Sequence, residues 1–481
     1  MNPNWLNFKL TTMKNINKYL LVLTLALSAC GVSKDIQTPQ AALPANFRNA
    51  VSTDTTSIAD IPWKQFFTDA ELQKLIDSAI TKNYDLQLAI KNIEASQLLV
   101  KQVKWNYVPE VGLNVTASSS RPSDNSLNGL SLATAGVKTK HIEDYSANLS
   151  LSWEADIWGK IHNQNRAAVA AYLQTAEARK VIQTNIVSSV AQGYYNLLML
   201  DAQLETAQSN VRLNDSTLNI IKLQYNAGQV TLLAVQQAQA QQQAAAALVP
   251  QFEQNIALQE NALRILTGEL PGNIERHKKL NDVTFADNLP AGLPSALVSR
   301  RPDVKSSELA LVVANANVGI NQAQMYPALR ITAQGGVNSF KASNWFNIPA
   351  SLFGVVSGSL ITPLLDHKEL KTNYEVAKVN REKTVIEFRQ TVLNAVGEVS
   401  DALVKIDKLK AEQDITAQRV NTLQKATSNA NQLFKNGMAN YLEVITAQSN
   451  VLQSELELAS VKTEHLKAVA ELYRSLGGGW K

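Results

Sequence analysis

Val111-Gly112-Leu113-Asn114-Val115-Thr116-Ala117-Ser118 puts an apolar side chain at each odd position and glycine or a polar side chain at each even one. A period of two predicts a strand with one apolar and one polar face. Ala147, Leu149, Leu151 and Trp153 alternate with Asn148, Ser150 and Ser152 in the same way, so the polar residues 121–140 read as the loop joining two such strands.

Downstream the period becomes seven. Leu197/Leu200, Leu204/Ala207, Val211/Asn214 and Leu218/Ile221 form the seam of a coiled coil. A helix over 159–226 would run on the order of 100 Å at ~1.5 Å per residue, far more than a globular domain needs. Gly228 turns the chain back. Val249, Phe252, Ile256 and Leu263 mark a return helix, which Pro250 is expected to kink or split.

The whole arrangement occurs twice. Asn83-Tyr84-Asp85 followed by Tyr107-Val108-Pro109 returns as Arg301-Pro302-Asp303 followed by Met325-Tyr326-Pro327, with Asp and Pro each 218 residues on. Asp156 answers Asp366, Asn226-Ala227-Gly228 answers Asn436-Gly437, and Leu266-Thr267-Gly268 answers Ser475-Leu476-Gly477. Leu329, Ile331 and Ala333 alternate with Arg330, Thr332 and Gln334, while residues 352–361 alternate less cleanly around Gly354 and Gly358; residues 339–349 between them read as a loop. The heptad seam recurs 209 residues on, at Ile406/Leu409, Gln413/Thr416, Val420/Leu423 and Thr427/Ala430. The expected organisation is a first repeat over 63–270, a linker over 271–294 and a second repeat over 295–481.

Two strands per repeat give four per chain, too few to close a barrel, yet each has the faces of a strand between lipid and water. An open sheet leaves its edge amides unpaired in hydrocarbon, so a ring of identical chains is required. Three copies would supply about a dozen strands, within the range of membrane barrels. Val111, Leu113, Val115, Leu149, Leu151, Leu329 and Ile331 are the expected lipid-facing residues. Asn114, Thr116, Ser118, Asn148, Ser150, Thr332 and Gln334 are expected to face the lumen. Helical hairpins of this length, joined directly to membrane strands, have room only in the periplasm, where they would continue the barrel as a helical tube. The fold class is thus an internally duplicated α+β membrane protein.

The 481 residues carry 45 lysines and arginines against 41 acids, and Lys9, Lys14 and Lys18 of that excess precede an apolar run, so nothing points to a nucleic-acid partner. Residues 1–29 read as a signal peptide, and a start at Met13 would give it a conventional short n-region. Leu27-Ser28-Ala29-Cys30 resembles a bacterial lipobox. Cys30 is the sole cysteine, which excludes intramolecular disulfides; a diacylglycerol and an N-acyl chain on it would supply the two or more anchors that stable attachment needs. Gly31, where an aspartate would retain such a lipoprotein at the inner membrane, implies the outer membrane. Residues 30–62 then form a lipidated extended linker.

Leu151-Ser152-Trp153-Glu154-Ala155-Asp156-Ile157-Trp158-Gly159, Leu297-Val298-Ser299-Arg300-Arg301-Pro302-Asp303-Val304 and Ala323-Gln324-Met325-Tyr326-Pro327 closely resemble the TolC-like outer-membrane efflux proteins, and among them the NodT-type lipoproteins of resistance-nodulation-division (RND) pumps. The resemblance covers essentially the whole mature chain. It implies a homotrimer in the outer membrane of a Gram-negative bacterium, with a β-barrel, a periplasmic α-helical barrel and an equatorial belt that includes 271–294. It also implies a membrane-fusion adaptor at the tips around Gly228 and Gly437, an inner-membrane RND transporter as the energised partner, and small toxic compounds or drugs as cargo. Relatives carry two rings of acids past the second tip; Glu443 matches the first, making it the periplasmic gate candidate, whereas Thr446 stands at the second.

No catalytic constellation emerges, and the five histidines lie without metal-ligand spacing, so neither an enzyme, a metal site nor a cofactor is expected. Asp156 and Asp366 stand where a carboxylate can cap a helix. Trp153, Trp158, Trp345 and Phe346 are candidates for an aromatic girdle. The competing functions are a protein-secretion or metal-ion efflux duct of the same fold, and a lipid-anchored trimeric stalk that would not conduct.

Overall fold

The computed structural model describes residues 43–48, 56–134, 141–286 and 289–481. In chain order its principal elements are α1 (Ala70–Lys82), α2 (Tyr84–Lys104), β1 (Glu110–Ser120), α3 (Leu127–Thr134), β2 (Ile142–Ala155), α4 (Lys160–Asn226), α5 (Leu232–Leu266), α6 (Pro294–Arg300), α7 (Pro302–Gln324), β3 (Ala328–Ser339), β4 (Leu352–Ile361), α8 (Glu369–Lys435) and α9 (Tyr441–Ser475). The duplication is literal in length: α4 and α8 each have 67 residues, α5 and α9 each 35. The described residues form two units, one built on Ala95–Tyr172 and Leu309–Val385, the other on Pro39–Glu94, Leu173–Glu308 and Ile386–Lys481.

The first unit holds one antiparallel sheet in the order β1-β2-β3-β4. Val111 stands opposite Leu151, Leu113 opposite Leu149, and Asn114 opposite Asn148. Ser150 stands opposite Gln334 and Ser152 opposite Thr332. Directly opposed residues share a face, so the pairing keeps the polar positions of successive strands together. Residues 121–140 are not wholly loop, because α3 lies among them. Leu127 and Leu130, three residues apart, were the one helical spacing in that polar stretch.

Where each strand pair passes into its long helix, an aspartate caps the turn. Asp156 accepts from Ile161 N–H (2.9 Å) and His162 N–H (2.8 Å), and Asp366 from Lys368 N–H (3.1 Å) and Leu370 N–H (2.9 Å). The left-handed step is taken by Gly159 (φ +75°) in the first repeat but by His367 and Lys368 (φ +55° and +68°) in the second.

In the second unit the heptad positions are interior, with Leu197, Ala207 and Ile221 fully buried. Phe252 of α5 packs with Leu200 and Ala207 of α4, joined by Leu248 and Val249. Pro250 does not split α5, which is continuous from Leu232 to Leu266. A helical proline forfeits one N–H bond, and the apolar contacts of Leu248, Val249 and Phe252 on either side hold the helix through it.

The seam also carries a polar layer: Asn210 donates to Gln448 O (3.4 Å), Asn214 to Asn210 O (2.9 Å), and Gln448 to Thr217 Oγ1 (2.8 Å). At the base of each hairpin the two repeats use one geometry with different side chains. Asn83 Nδ2 donates to Leu266 O (2.9 Å), and Arg301 Nη1, at the matching position, donates to Ser475 O (2.8 Å). The chain between repeats is strapped to the helices by Arg276, which pairs with Asp201 (2.5 Å) and Glu260 (2.6 Å), and by Lys279, which pairs with Glu205 (3.0 Å).

Candidate channel wall and hairpin tips

All seven residues expected on the lumen side share one face of the sheet, as the strand registers require. Four of them are bonded across strands. Asn114 Nδ2 donates to Ser150 Oγ (3.0 Å) and to Asn148 Oδ1 (3.4 Å), and Gln334 Nε2 donates to the same Asn148 oxygen (2.8 Å). Asn148 thereby sits at the centre of an amide ladder spanning β1, β2 and β3. Opposite it stands Gly336, where a Cβ would lie 2.1 Å from Ala147 O and crowd Asn148. A glycine is required at that approach. The alternating pattern alone did not mark it.

The other face is apolar and open. Val111, Leu113 and Val115 of β1 and Leu149 of β2 are exposed, as are Val356 and Leu360 of β4. Apolar surface this continuous on neighbouring strands is not left to water. It is bounded by aromatics at both ends. At the loop end Trp345 lies 5.5 Å from Tyr145 and stacks on Phe346 at 5.1 Å. At the helix end Trp153 Nε1 donates to Tyr107 O (3.0 Å), and Trp105 is exposed. Tyr145 and Trp153 lie on one strand eight residues apart, about 26 Å at ~3.3 Å per residue. The apolar band of a membrane barrel is about 25 Å tall between aromatic girdles. Trp158 has a different place: it stacks on Tyr326 at 4.9 Å and donates to Pro327 O (2.8 Å), bracing the first repeat's strand end against the start of β3.

β4 departs from the alternation of the other strands. Phe353, Val355 and Ile361 fall on the polar face beside Ser357 and Ser359, as their partners Gly336, Gln334 and Ala328 show. The uneven pattern over 352–361 was the signal.

At the hairpin tips Gly228 (φ +71°) and Gly437 (φ +69°) carry the reversals, each in open space where an added Cβ would meet nothing within 4 Å. The tips share a core in which Leu218, Ile221 and Ala234 of the first hairpin meet Phe434, Val444 and Ile445 of the second, and Tyr441 Oη donates to Gln237 Oε1 (2.8 Å). Leu223, Leu232 and Leu233 around the first tip, and Met438 and Leu442 at the second, stay exposed. The Glu443 carboxylate turns back onto its own helix, accepting from Asn440 N–H (3.0 Å), while Asn440 Oδ1 accepts from Leu442 N–H (2.9 Å) and Glu443 N–H (3.1 Å). This reciprocal capping box engages Glu443 in the start of α9. Thr446 is exposed. Cys30 and its apolar leader lie outside the described residues.

The model of the outer membrane efflux protein family matches residues 75–269 and 293–478. The chain belongs to this family. It is 28% identical over 465 residues to the cation efflux system protein CusC of Escherichia coli, covering 95% of this chain and 97% of that protein. It is 28% identical over 476 residues to the toluene efflux pump outer membrane protein TtgF of Pseudomonas putida, covering 96% of each. Among solved structures, CusC superposes with a TM-score of 0.83 at 25% identity over 94% of this chain and 100% of that one. The open-state MtrE outer membrane channel of Neisseria gonorrhoeae superposes with a TM-score of 0.84 at 24% identity over 94% and 99%. The family match falls on the two repeats separately, and the protein is an outer-membrane efflux channel. Among the described residues no helix is long and apolar enough to cross a membrane.

Proposed function

We propose that three copies of this chain form the passive exit duct of a tripartite RND-type efflux pump, conducting small toxic compounds or drugs from periplasm to exterior. The observation that carries this reading is the four-stranded sheet itself, one face a bonded amide ladder and the other an exposed apolar band bounded by aromatics about 26 Å apart. Asn114, Thr116, Ser118, Asn148, Ser150, Thr332 and Gln334 then line the lumen, and Val111, Leu113 and Leu149 face lipid. Neutral amides and hydroxyls hydrate a pore without binding one charge strongly, which fits a conduit whose partner selects the cargo. A membrane-fusion adaptor would meet the tips at Gly228 and Gly437, where exposed leucines and Met438 offer contact area. The Cys30 acyl chains would anchor the N-terminus in the outer membrane. Glu443 would form a ring at the periplasmic mouth, and breaking its bond to Asn440 would free the carboxylate as the mouth changes shape.

The test is conductance of the purified protein in planar bilayers. Stepwise openings are expected, and a polar thiol reagent should reduce them for Thr116→Cys but not for Val115→Cys. Silence would reject the duct in favour of a stalk; a block at Val115→Cys alone would invert the two faces.

A further inference from the structure

Two side chains on the polar face of the sheet belong neither to the amide ladder nor to a neutral wetted wall. Arg330 stands opposite Glu154 and Ser359, and Ile361 stands opposite Ala328, so both lie on the face that carries Asn148 and Gln334. They line one cavity of about 280 Å³ at the helix end of the sheet. Glu154, Asp156 and Lys160 are its other charged residues, and Tyr326 and Leu370 join Ile361 in its apolar lining. Trp158, stacked on Tyr326 at 4.9 Å, braces that ring.

The hydrogen bonds around this cavity leave one cation over. Lys160 Nζ reaches both oxygens of Glu154, at 2.9 and 3.1 Å. Asp156 is engaged by two N–H groups at the start of α4. Arg330 comes no closer than 3.9 Å to Glu154, beyond hydrogen-bond distance, and no other acid among the described residues pairs with it. A guanidinium presents its donors as a planar fork that matches an oxyanion bidentately. With both carboxylates engaged elsewhere, that fork is left unspent beside an apolar wall.

We propose that this cavity binds small amphiphilic organic anions, with Arg330 taking the anionic group and Tyr326, Ile361 and Leu370 the apolar body. Its volume suits one such molecule, at the small end of ligand sites. An inorganic anion would gain nothing from Ile361, and a neutral apolar solute nothing from Arg330. Glu154 works against the ligand by competing for the guanidinium, and Lys160 limits that competition by holding the carboxylate. The inference rests on the duct reading for one point, that the polar face lines the lumen. There the cavity gives passing anions a stopping place between the helices and the neutral amide ladder.

Calorimetric titration of 2-naphthalenesulfonate into the purified full chain, in a neutral maltoside detergent and against a micelle blank, tests the site. Saturable binding of one molecule per chain is expected. Arg330→Gln should weaken it about ten-fold and Ile361→Ser about three-fold, while Glu154→Gln should tighten it about three-fold. A misfolded variant would not bind more tightly. The uncharged 2-naphthalenesulfonamide should bind the unaltered chain about ten-fold more weakly than the sulfonate does. Equal affinity for the two probes, an Arg330→Gln variant that binds the sulfonate as well as the unaltered chain, or no saturable binding would each overturn the site. In planar bilayers the sulfonate should interrupt the current in brief blocks that Arg330→Gln shortens; binding without blocks in a conducting channel would overturn its place in the lumen. A chain that binds the sulfonate but never conducts would instead reject the duct reading and keep the site.

Discussion

The first helical hairpin turns on a left-handed glycine at its tip and ends on another at its base, both with φ +71°, and the two do different work. At the tip, Gly228 has nothing within 4 Å of where a Cβ would stand. At the base, the same atom on Gly268 would lie 2.4 Å from Lys82 O. The tip glycine supplies a conformation; the base glycine supplies a conformation and a close approach. The second hairpin repeats the contrast, with Gly437 in open space and Gly477 only 3.0 Å from Arg300 O. Bases are places where the chain is locked and tips are places where it merely reverses.

The lock is not the same in the two repeats. The Asn83 side chain closes the first base as a neutral amide and also caps α2 through Asp85 N–H (2.9 Å) and Leu86 N–H (3.2 Å). Arg301, almost fully buried, closes the second as a cation held by Asp303 (2.6 Å) and Glu398 (3.0 Å), and Arg474 reaches the same Glu398 (3.0 Å). Removing the buried Arg301 leaves the partly exposed Asp303 and Glu398 carboxylates without their shared cation, whereas removing a neutral cap forfeits only its hydrogen bonds. Arg301→Ala is therefore expected to cost about 3 kcal/mol and Asn83→Ala about 1 kcal/mol, read from denaturant midpoints in detergent. Burial works to raise the Asp303 carboxyl, but the Arg301 hydrogen bond and charge prevail and hold it below its ordinary 3.8. Its contribution is then complete above that value and lost as pH falls through the folded one. Arg301→Ala should flatten that acid limb; equal costs and an unchanged limb would erase the distinction between the bases.

A difference of the same size separates base from tip. Gly268→Ala meets both the left-handed penalty and a backbone carbonyl, about 3 kcal/mol together, while Gly228→Ala meets the penalty alone, about 1 kcal/mol. Matching losses in thermal midpoint would show that the base can relax. The smallest difference lies between the tips: Asn440→Ala should cost about 1 kcal/mol by breaking the capping box, and Thr231→Ala, whose side chain makes no capping bond, close to nothing. Amide exchange in the first turns of α9 and α5 would show whether the capped tip frays less.

Much of this was legible in the residues. Alternation marked β1, β2 and β3, the heptads marked α4 and α8, and the spacing of Asn83, Pro109, Gly228 and Gly268 from their counterparts announced the duplication. These are local periodicities, and local periodicity follows from where a backbone points its side chains. Long-range pairing has no such trace. That β2 meets β3 with Asn148 between Asn114 and Gln334, that Gly336 must make room there, and that Trp345 packs beside Tyr145 while Trp158 stacks on Tyr326 were decided by tertiary structure, because each depends on which strand lies alongside and in what register. Glu443 falls on the local side of this division: Asn440 with Glu443 three residues on is a capping-box spacing, so the return of its carboxylate was legible in the sequence, although only its position past the tip was read. By itself the sequence determined that this chain has two faces and two copies of one unit. Only the folded chain decided which residues of those faces touch, since a strand's polarity is written along it while its partner is chosen across space.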